Sequence, residues 1–235
     1  MKKLLFLATL VAVVAACEKN SKEEPQINIT PSEDVEAIDL GLSVKWANMN
    51  IGATKPEEYG AYFAWGETSP KTTYNWSTYK YMQSGKSSWE YITKYTIPDG
   101  QKSGIWYNGD TFIGDNKTTL DLADDAAHVN WGGNWRMPTK EEQDELQDSC
   151  IWTWTQKNGI NGYKVKGPKD SIFLPASGYR EYSSFCYVSC YCYFWSSSLY
   201  DVYSSYAYGR NFKSEYVDRY GLNRYYGLSI RPVCK

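Results

Sequence analysis

Apolar residues beyond about position 39 come in short runs cut off by Gly, Asn, Pro or Ser, and they seldom recur at the three- and four-residue spacing of a buried helix face. Such a chain cannot cover a core with long helices. It must build one from short strands and the turns between them. Candidate strands are 43–47, 61–65, 162–166, 171–175 and 228–233. Two helices are expected. Thr139-Lys140-Glu141-Glu142 after Pro138 is a capping box that opens a helix over 140–148, with Leu146 and Cys150 one turn apart on its buried face. A shorter helix over 122–128 would use Ala123, Ala126 and Ala127 for close packing. The fold class predicted is α+β, with irregular, loop-rich antiparallel β structure.

The N-terminus has a different chemistry. Lys2 and Lys3 precede an apolar stretch from Leu4 to Val14 and the small pair Ala15-Ala16, the pattern of a signal peptide over 1–16. Val14-Ala15-Ala16-Cys17 resembles a lipoprotein signal-peptidase site, which implies lipidation of Cys17 and attachment to a membrane. Residues 17–36 are polar and Pro-containing and read as a flexible tether to a single domain over 37–235. Acidic residues close behind a lipidated Cys resemble surface-export signals, so the outer face of the outer membrane is the expected location, with a periplasm-facing linker as the alternative. The formal charge of the chain is -2, and loss of Lys2 and Lys3 takes it to -4. With no basic cluster, nucleic acid is excluded as an expected partner. The mean hydropathy of -0.58 fits a soluble domain with no second membrane segment.

Several motifs occur together and in order. Asp39-Leu40-Gly41-Leu42-Ser43-Val44-Lys45-Trp46-Ala47, Tyr62-Phe63-Ala64-Trp65-Gly66-Glu67 and Gly133-Asn134-Trp135-Arg136-Met137-Pro138-Thr139 are followed by Phe173-Leu174-Pro175-Ala176, Gly178-Tyr179-Arg180, Trp195-Ser196-Ser197-Ser198 and Ser229-Ile230-Arg231-Pro232-Val233. This series resembles the paralogous-domain family first named from Fibrobacter succinogenes, over nearly everything after the tether. The resemblance implies a C-type-lectin-like fold, with a helix after Trp-Arg-Met-Pro-Thr and a C-terminal strand returning to the core. Gln143 stands where that family places a bulky aromatic on the helix. The resemblance also implies a disulfide stapling the helix end at Cys150 to the last strand at Cys234.

Composition changes after Glu181. Lys, Glu, Gln, Trp and Met fill 46 of the 164 positions from Glu18 to Glu181 but only four of the 54 from Tyr182 to Lys235, namely Trp195, Lys213, Glu215 and Lys235. These five are the residue types that no codon ending in C encodes, which is the fingerprint of adenines randomised in AAC codons. Three runs, 182–193, 200–211 and 216–226, contain only permitted types. Members of the family serve as variable proteins of diversity-generating retroelements, and the segment 182–226 resembles such a region; a β-rich tail that favours Tyr and Ser for packing is the plainer reading.

Of the 22 Tyr, 13 fall between Tyr179 and Tyr226, interleaved with Ser, Asn, Asp, Arg and Gly. That mixture suits recognition, because Tyr gives large contact area with few torsions to freeze and the small polar residues adapt their hydrogen bonds. The candidate ligand-binding residues are Tyr182, Ser183, Ser184, Tyr187, Tyr191 and Tyr193 in the first run, Tyr200, Asp201, Tyr203, Ser204, Tyr208 and Arg210 in the second, and Tyr216, Asp218, Tyr220, Asn223, Arg224 and Tyr225 in the third. They are expected to converge on one solvent-facing patch, with Tyr203, Tyr220, Arg224 and Tyr225 exposed near one another. Trp195, Phe173, Leu174 and Ile230 should hold the scaffold beneath. The ligand expected is an extracellular protein or glycan.

Catalysis has little support. His128 is the only histidine and reads as structural, and no Ser-His-Asp order can be argued from it. Asp124-Asp125 and Glu141-Glu142 are adjacent pairs that diverge around a helix and suit solvated or capping roles. Cys186, Cys190 and Cys192 have a spacing that matches no zinc pattern and read as diversified positions able to pair by chance in an oxidising compartment. No metal or cofactor is expected, calcium being left open. A subunit of a cell-surface assembly is the alternative function. An oxidase resembling formylglycine-generating enzymes, which share a Trp-Arg-x-Pro-Thr stretch, is the remaining one.

Overall fold

The computed structural model describes residues 29–214 and 216–235, with the backbone alone for 216–220. Cys17 and the signal peptide lie outside the described residues. Among the described residues the chain forms small antiparallel sheets, with no strand longer than eight residues and few short helices, a loop-rich α+β arrangement. None of these helices is long and apolar enough to cross a membrane.

Strands β1 (Ala37–Ile38) and β2 (Lys45–Ala47) open the domain, and β3 (Tyr107–Asn108) and β4 (Thr111–Phe112) form a separate hairpin. Two helices follow, α1 (Ala126–Trp131) and α2 (Lys140–Ser149). The meander β5 (Ile151–Lys157), β6 (Ile160–Lys166) and β7 (Ser171–Pro175) leads to the hairpin β8 (Tyr179–Glu181) and β9 (Ser184–Cys186). A second meander, β10 (Cys192–Leu199), β11 (Tyr206–Lys213) and β12 (Tyr216–Asn223), occupies the tail. Finally β13 (Val233–Cys234) returns to β2, placing Val233 opposite Trp46 and closing the two ends of the domain on each other.

The α2 start follows from its sequence. Thr139 Oγ1 accepts from the Glu142 N–H and the Glu142 carboxylate accepts from the Thr139 N–H, the reciprocal pair of a capping box. Leu146 is buried as the spacing predicts, while Cys150 becomes the C-cap and is half-buried. Gln143, in place of an aromatic, is buried and donates through Nε2 to the Trp195 carbonyl at 3.1 Å.

The helix expected over 122–128 is split. Asp125 ends a 3₁₀ turn at Leu122–Asp124 and caps α1, its Oδ1 accepting from Ala127 and His128 and its Oδ2 from the Met137 N–H. Asp124 is not solvated. It is buried among Lys80, Lys94 and Tyr95, all of which donate to its carboxylate.

Residues 61–65 do not form a strand. Their backbone partners change at each step, Ile51 for Ala61, Leu228 for Phe63 and Arg224 for Trp65, so no ladder can propagate. Gly60 enforces the turn before them, since a Cβ there would lie 2.3 Å from the Ile51 carbonyl oxygen at φ +71°. Of the expected 228–233 strand only Val233 is in sheet, continued by Cys234, for a similar reason.

The core lies between the tail and these irregular segments. Trp195 is fully buried and donates from Nε1 to the Phe63 carbonyl at 2.8 Å, while Trp65 donates from Nε1 to the Ser196 carbonyl at 2.9 Å. Phe173, Leu174 and Ile230 are buried as expected. Truncating a buried Trp of this kind costs about 3–5 kcal/mol. The staple implied between Cys150 and Cys234 is not formed. Both stand as thiols, Cys150 beside Glu145 at the end of α2 and Cys234 beside Lys45 and Arg136.

Candidate recognition surface

The three permitted-residue runs divide between strand and turn. In β10 and β11 nearly every side chain is buried, because each strand has a neighbour along one edge or both and is covered by α2 or the core. Cys192, Tyr193, Tyr208 and Arg210 are therefore core residues, not surface ones. Arg210 reaches Asp144 and Gln147 of α2. Burial drives the Cys192 thiol far above its usual range, which makes it inert as a nucleophile at neutral pH.

Arg224 and Tyr225 were expected at the surface and are not there. Arg224 is 0% exposed. Its Nε donates to the Tyr79 hydroxyl at 2.8 Å, Nη1 to the carbonyls of Tyr95 at 3.0 Å and Ser204 at 2.8 Å, and Nη2 to that of Lys94 at 3.0 Å. The guanidinium stacks over the Trp65 ring at 4.8 Å. A cation so completely supplied with neutral acceptors and an aromatic face can be buried without a carboxylate partner. Tyr225 is 9% exposed, with its ring 4.8 Å from Trp76 and its hydroxyl donating to Glu181 Oε1. Ser204 is also buried, its Oγ accepting from the Ile97 N–H. The side chains of Tyr216, Asp218 and Tyr220 lie outside the described residues.

Exposure concentrates in the turns. Tyr182 is 59% exposed, Tyr187 49% and Tyr203 39%. Ser183, Ser189 and Asp201 are exposed beside them, and Ser184, Tyr191, Tyr200 and Asn223 are half-buried. Tyr182, Tyr187 and Ser189 adopt φ of 52°, 57° and 64°, the left-handed region that ordinary side chains avoid. Such strain is held only where the surroundings over-determine it. Here the Tyr182 backbone exchanges two hydrogen bonds with Tyr74, and the Tyr187 carbonyl accepts from the N–H groups of Cys190 and Tyr191.

Two aromatic clusters result. In the first, Tyr187, Tyr191, Tyr193 and Tyr179 are linked by ring contacts of 5.2, 5.8 and 5.1 Å, and Tyr179 continues to Tyr226 at 4.9 Å. This ladder joins the first run to the third. Burial raises the pKa of Tyr179 well beyond the ordinary phenol range, so this ring is neutral at the centre of the ladder. In the second cluster Tyr200 contacts Tyr208 at 4.9 Å and Tyr206 at 6.2 Å, and Tyr206 contacts Tyr203 at 6.0 Å. Asp201 accepts there from Tyr208 at 2.7 Å and from Lys140 Nζ at 2.8 Å. These ring contacts group the described tyrosines into two clusters that approach each other at the turn 223–226, where Tyr226 of the first lies near Tyr206 of the second.

The second cluster borders a cleft of about 330 Å³, lined by Tyr203, Tyr206 and Asn223 from the tail and by Trp89, Asp99 and Gln101 from an earlier loop. No sequence motif marks those last three residues. Arg224 brings them there by binding the carbonyls of Lys94 and Tyr95, and Ser204 assists by holding Ile97.

Among the described residues no group of three His, Cys, Asp or Glu is arranged to hold a metal ion. His128 sits within α1, on the first turn that Asp125 caps. No family model, curated protein or solved structure gives a match to this chain.

Proposed function

We propose that this is an exported lipoprotein, anchored through lipid at Cys17 on the outer face of the outer membrane, whose C-type-lectin-like domain over 37–235 binds an extracellular protein or glycan through its Tyr- and Ser-rich tail. The tail would vary between siblings as in the variable proteins of diversity-generating retroelements. The supporting observation is a coincidence of two independent properties. The tail almost lacks the five residue types that codons ending in C cannot encode, and its turns hold large aromatics in solvent, with Tyr182 and Tyr187 in left-handed backbone and Tyr203 beside a cleft. Packing preference explains Tyr in β10 and β11 but gives no reason to keep tyrosines at strained, exposed positions.

The burial pattern sharpens the assignment. Binding residues are Tyr182, Ser183, Tyr187, Asp201, Tyr203 and Asn223, with Arg210, Arg224 and Tyr225 assigned to the scaffold. The deciding experiment is to sequence the flanking DNA. The expected result is a near-copy of the tail whose codons carry adenines at the exposed positions and differ least at Arg210 and Arg224. Absence of any such repeat overturns diversification. Cys17→Ala is expected to release the protein from membranes, and unchanged retention overturns the anchor.

A further inference from the structure

The cleft beside Tyr203 has a charge imbalance. Asp99 lines it, and Asp99 Oδ1 accepts from the backbone N–H groups of Gln101 at 3.0 Å and Lys102 at 2.9 Å, an Asx turn that fixes the carboxylate in place. No Lys, Arg or His is among the described residues that line the cleft. Among the described basic groups of the surrounding segments, Lys86 Nζ sits over the Tyr91 ring at 4.5 Å and the others are paired or buried. Lys102 Nζ pairs with Asp110 at 2.8 Å, Lys94 Nζ pairs with Asp121 at 2.8 Å and Asp124 at 2.5 Å, and Arg224 is turned into the core. A fixed negative charge thus borders a partly enclosed space otherwise lined by the aromatic residues Trp89, Tyr203 and Tyr206, the amide residues Gln101 and Asn223, and Ser204 and Ser205.

Aromatic faces, a carboxylate and amide oxygens with no competing cation are the complement of a guanidinium. A planar guanidinium stacks on Trp or Tyr, forks onto a carboxylate and still offers N–H groups to neighbouring carbonyl oxygens. An anion would be repelled by Asp99. A neutral sugar would leave the carboxylate unneutralised. The volume, at the small end of the range of about 300–1,000 Å³ seen for ligand pockets, suits one side chain rather than a whole molecule.

We infer that this cleft receives an arginine side chain of a protein ligand. The inference rests on the reading of the tail as a recognition surface and names the chemistry of its second cluster. Asp99 and Trp89 supply a constant contact for the cation, and Tyr203, Tyr206 and Asn223, which lie in the permitted-residue runs, set which sequence around that arginine is accepted.

The test is ligand titration of the full chain followed by NMR, with N-acetyl-arginine methylamide as probe, its neutral isostere N-acetyl-citrulline methylamide as control, and methyl glucoside and free arginine as further arms. The arginine derivative is expected to bind at least tenfold more tightly than the citrulline one and at least as tightly as free arginine. Asp99→Asn keeps the Asx turn while removing the charge, and is expected to abolish that tenfold preference; Tyr203→Ala is expected to weaken the arginine derivative about fivefold. Equal binding of the arginine and citrulline derivatives, or a preference that survives Asp99→Asn, overturns the inference. Saturation by methyl glucoside with no response to the arginine derivative also overturns it, yet leaves the recognition surface standing. Tighter binding of free arginine than of the blocked derivative overturns the assignment to a protein-borne side chain. Failure of the recognition reading has a separate signature, a tail graft from a sibling that changes binding to no extracellular protein.

Discussion

The turn that carries Tyr182 and Tyr187 and the strand that carries Tyr208 and Arg210 are drawn from the same restricted set of residues, yet they meet opposite environments. In β11 the side chains face α2 and the core, and Arg210 is tied to Asp144 and Gln147. In the turns at 182–189 the backbone is bent into left-handed conformations that lift two tyrosines into solvent. Residue type is the same in both, and only the hydrogen bonding of the backbone differs. A strand paired inside a meander has its faces covered, whereas a turn at a hairpin end has an open side. Tolerance to substitution should follow that division rather than composition.

The sharpest way to break the comparison is Arg224→Ala. It would leave a cavity and strip donors from the carbonyls of Lys94, Tyr95 and Ser204, and the expected loss of stability is about 3 kcal/mol or more, read by urea denaturation. A loss below about 1 kcal/mol would return Arg224 to the variable surface. Asp124 comes next. Burial alone would raise its carboxyl pKa, but hydrogen bonds from Lys80, Lys94 and Tyr95 outweigh burial and hold it far below the usual carboxylate range. Because the folded pKa is depressed, this contribution is fully present above an unfolded pKa of about 3.9 and disappears as pH falls through the folded value. Asp124→Asn should therefore cost about 2 kcal/mol at pH 7 and flatten the fall in stability below about pH 4. An acid limb identical to the wild type's would show that other carboxylates dominate.

Tyr182→Gly has the opposite expected sign. Glycine adopts φ 52° without strain, and the ring it removes is more than half in solvent, so thermal melting should show a gain of about 0.5–1 kcal/mol. A loss instead would mean that the ring packs usefully and that the turn belongs to the scaffold. The smallest effect is expected for Tyr203→Ala, within about 0.5 kcal/mol of wild type in stability. Its consequence should appear in ligand affinity alone, and a larger drop in melting would remove it from the recognition surface.

Legibility in the sequence followed the range of the interactions involved. The α2 start was readable because a capping box is a contact between residues three apart, and the burial of Trp195, Phe173, Leu174 and Ile230 because large apolar residues in a domain of this size have few other places to go. The burial of Arg224 and Tyr225 is not legible in the sequence because nothing local marks it. Their partners, Tyr79, Tyr95, Trp76 and Glu181, lie 44 or more positions earlier. The strand expected over 61–65 failed for a related reason, since its apolar run divides its backbone hydrogen bonds between Ile51 and the turn at 224–228 instead of pairing along one neighbour.

By itself, then, the sequence determined that the chain would be a loop-rich α+β domain with a capped helix after Pro138 and a tail of restricted composition, because periodicity, capping and residue type are properties of neighbouring positions. Only the tertiary structure decided which tail residues face water and that Trp89, Asp99 and Gln101 stand across from Tyr203. Those outcomes depend on contacts across more than a hundred residues, such as Arg224 with the Lys94 and Tyr95 carbonyls, where the energy of a buried cation selects one arrangement and no local pattern records the choice.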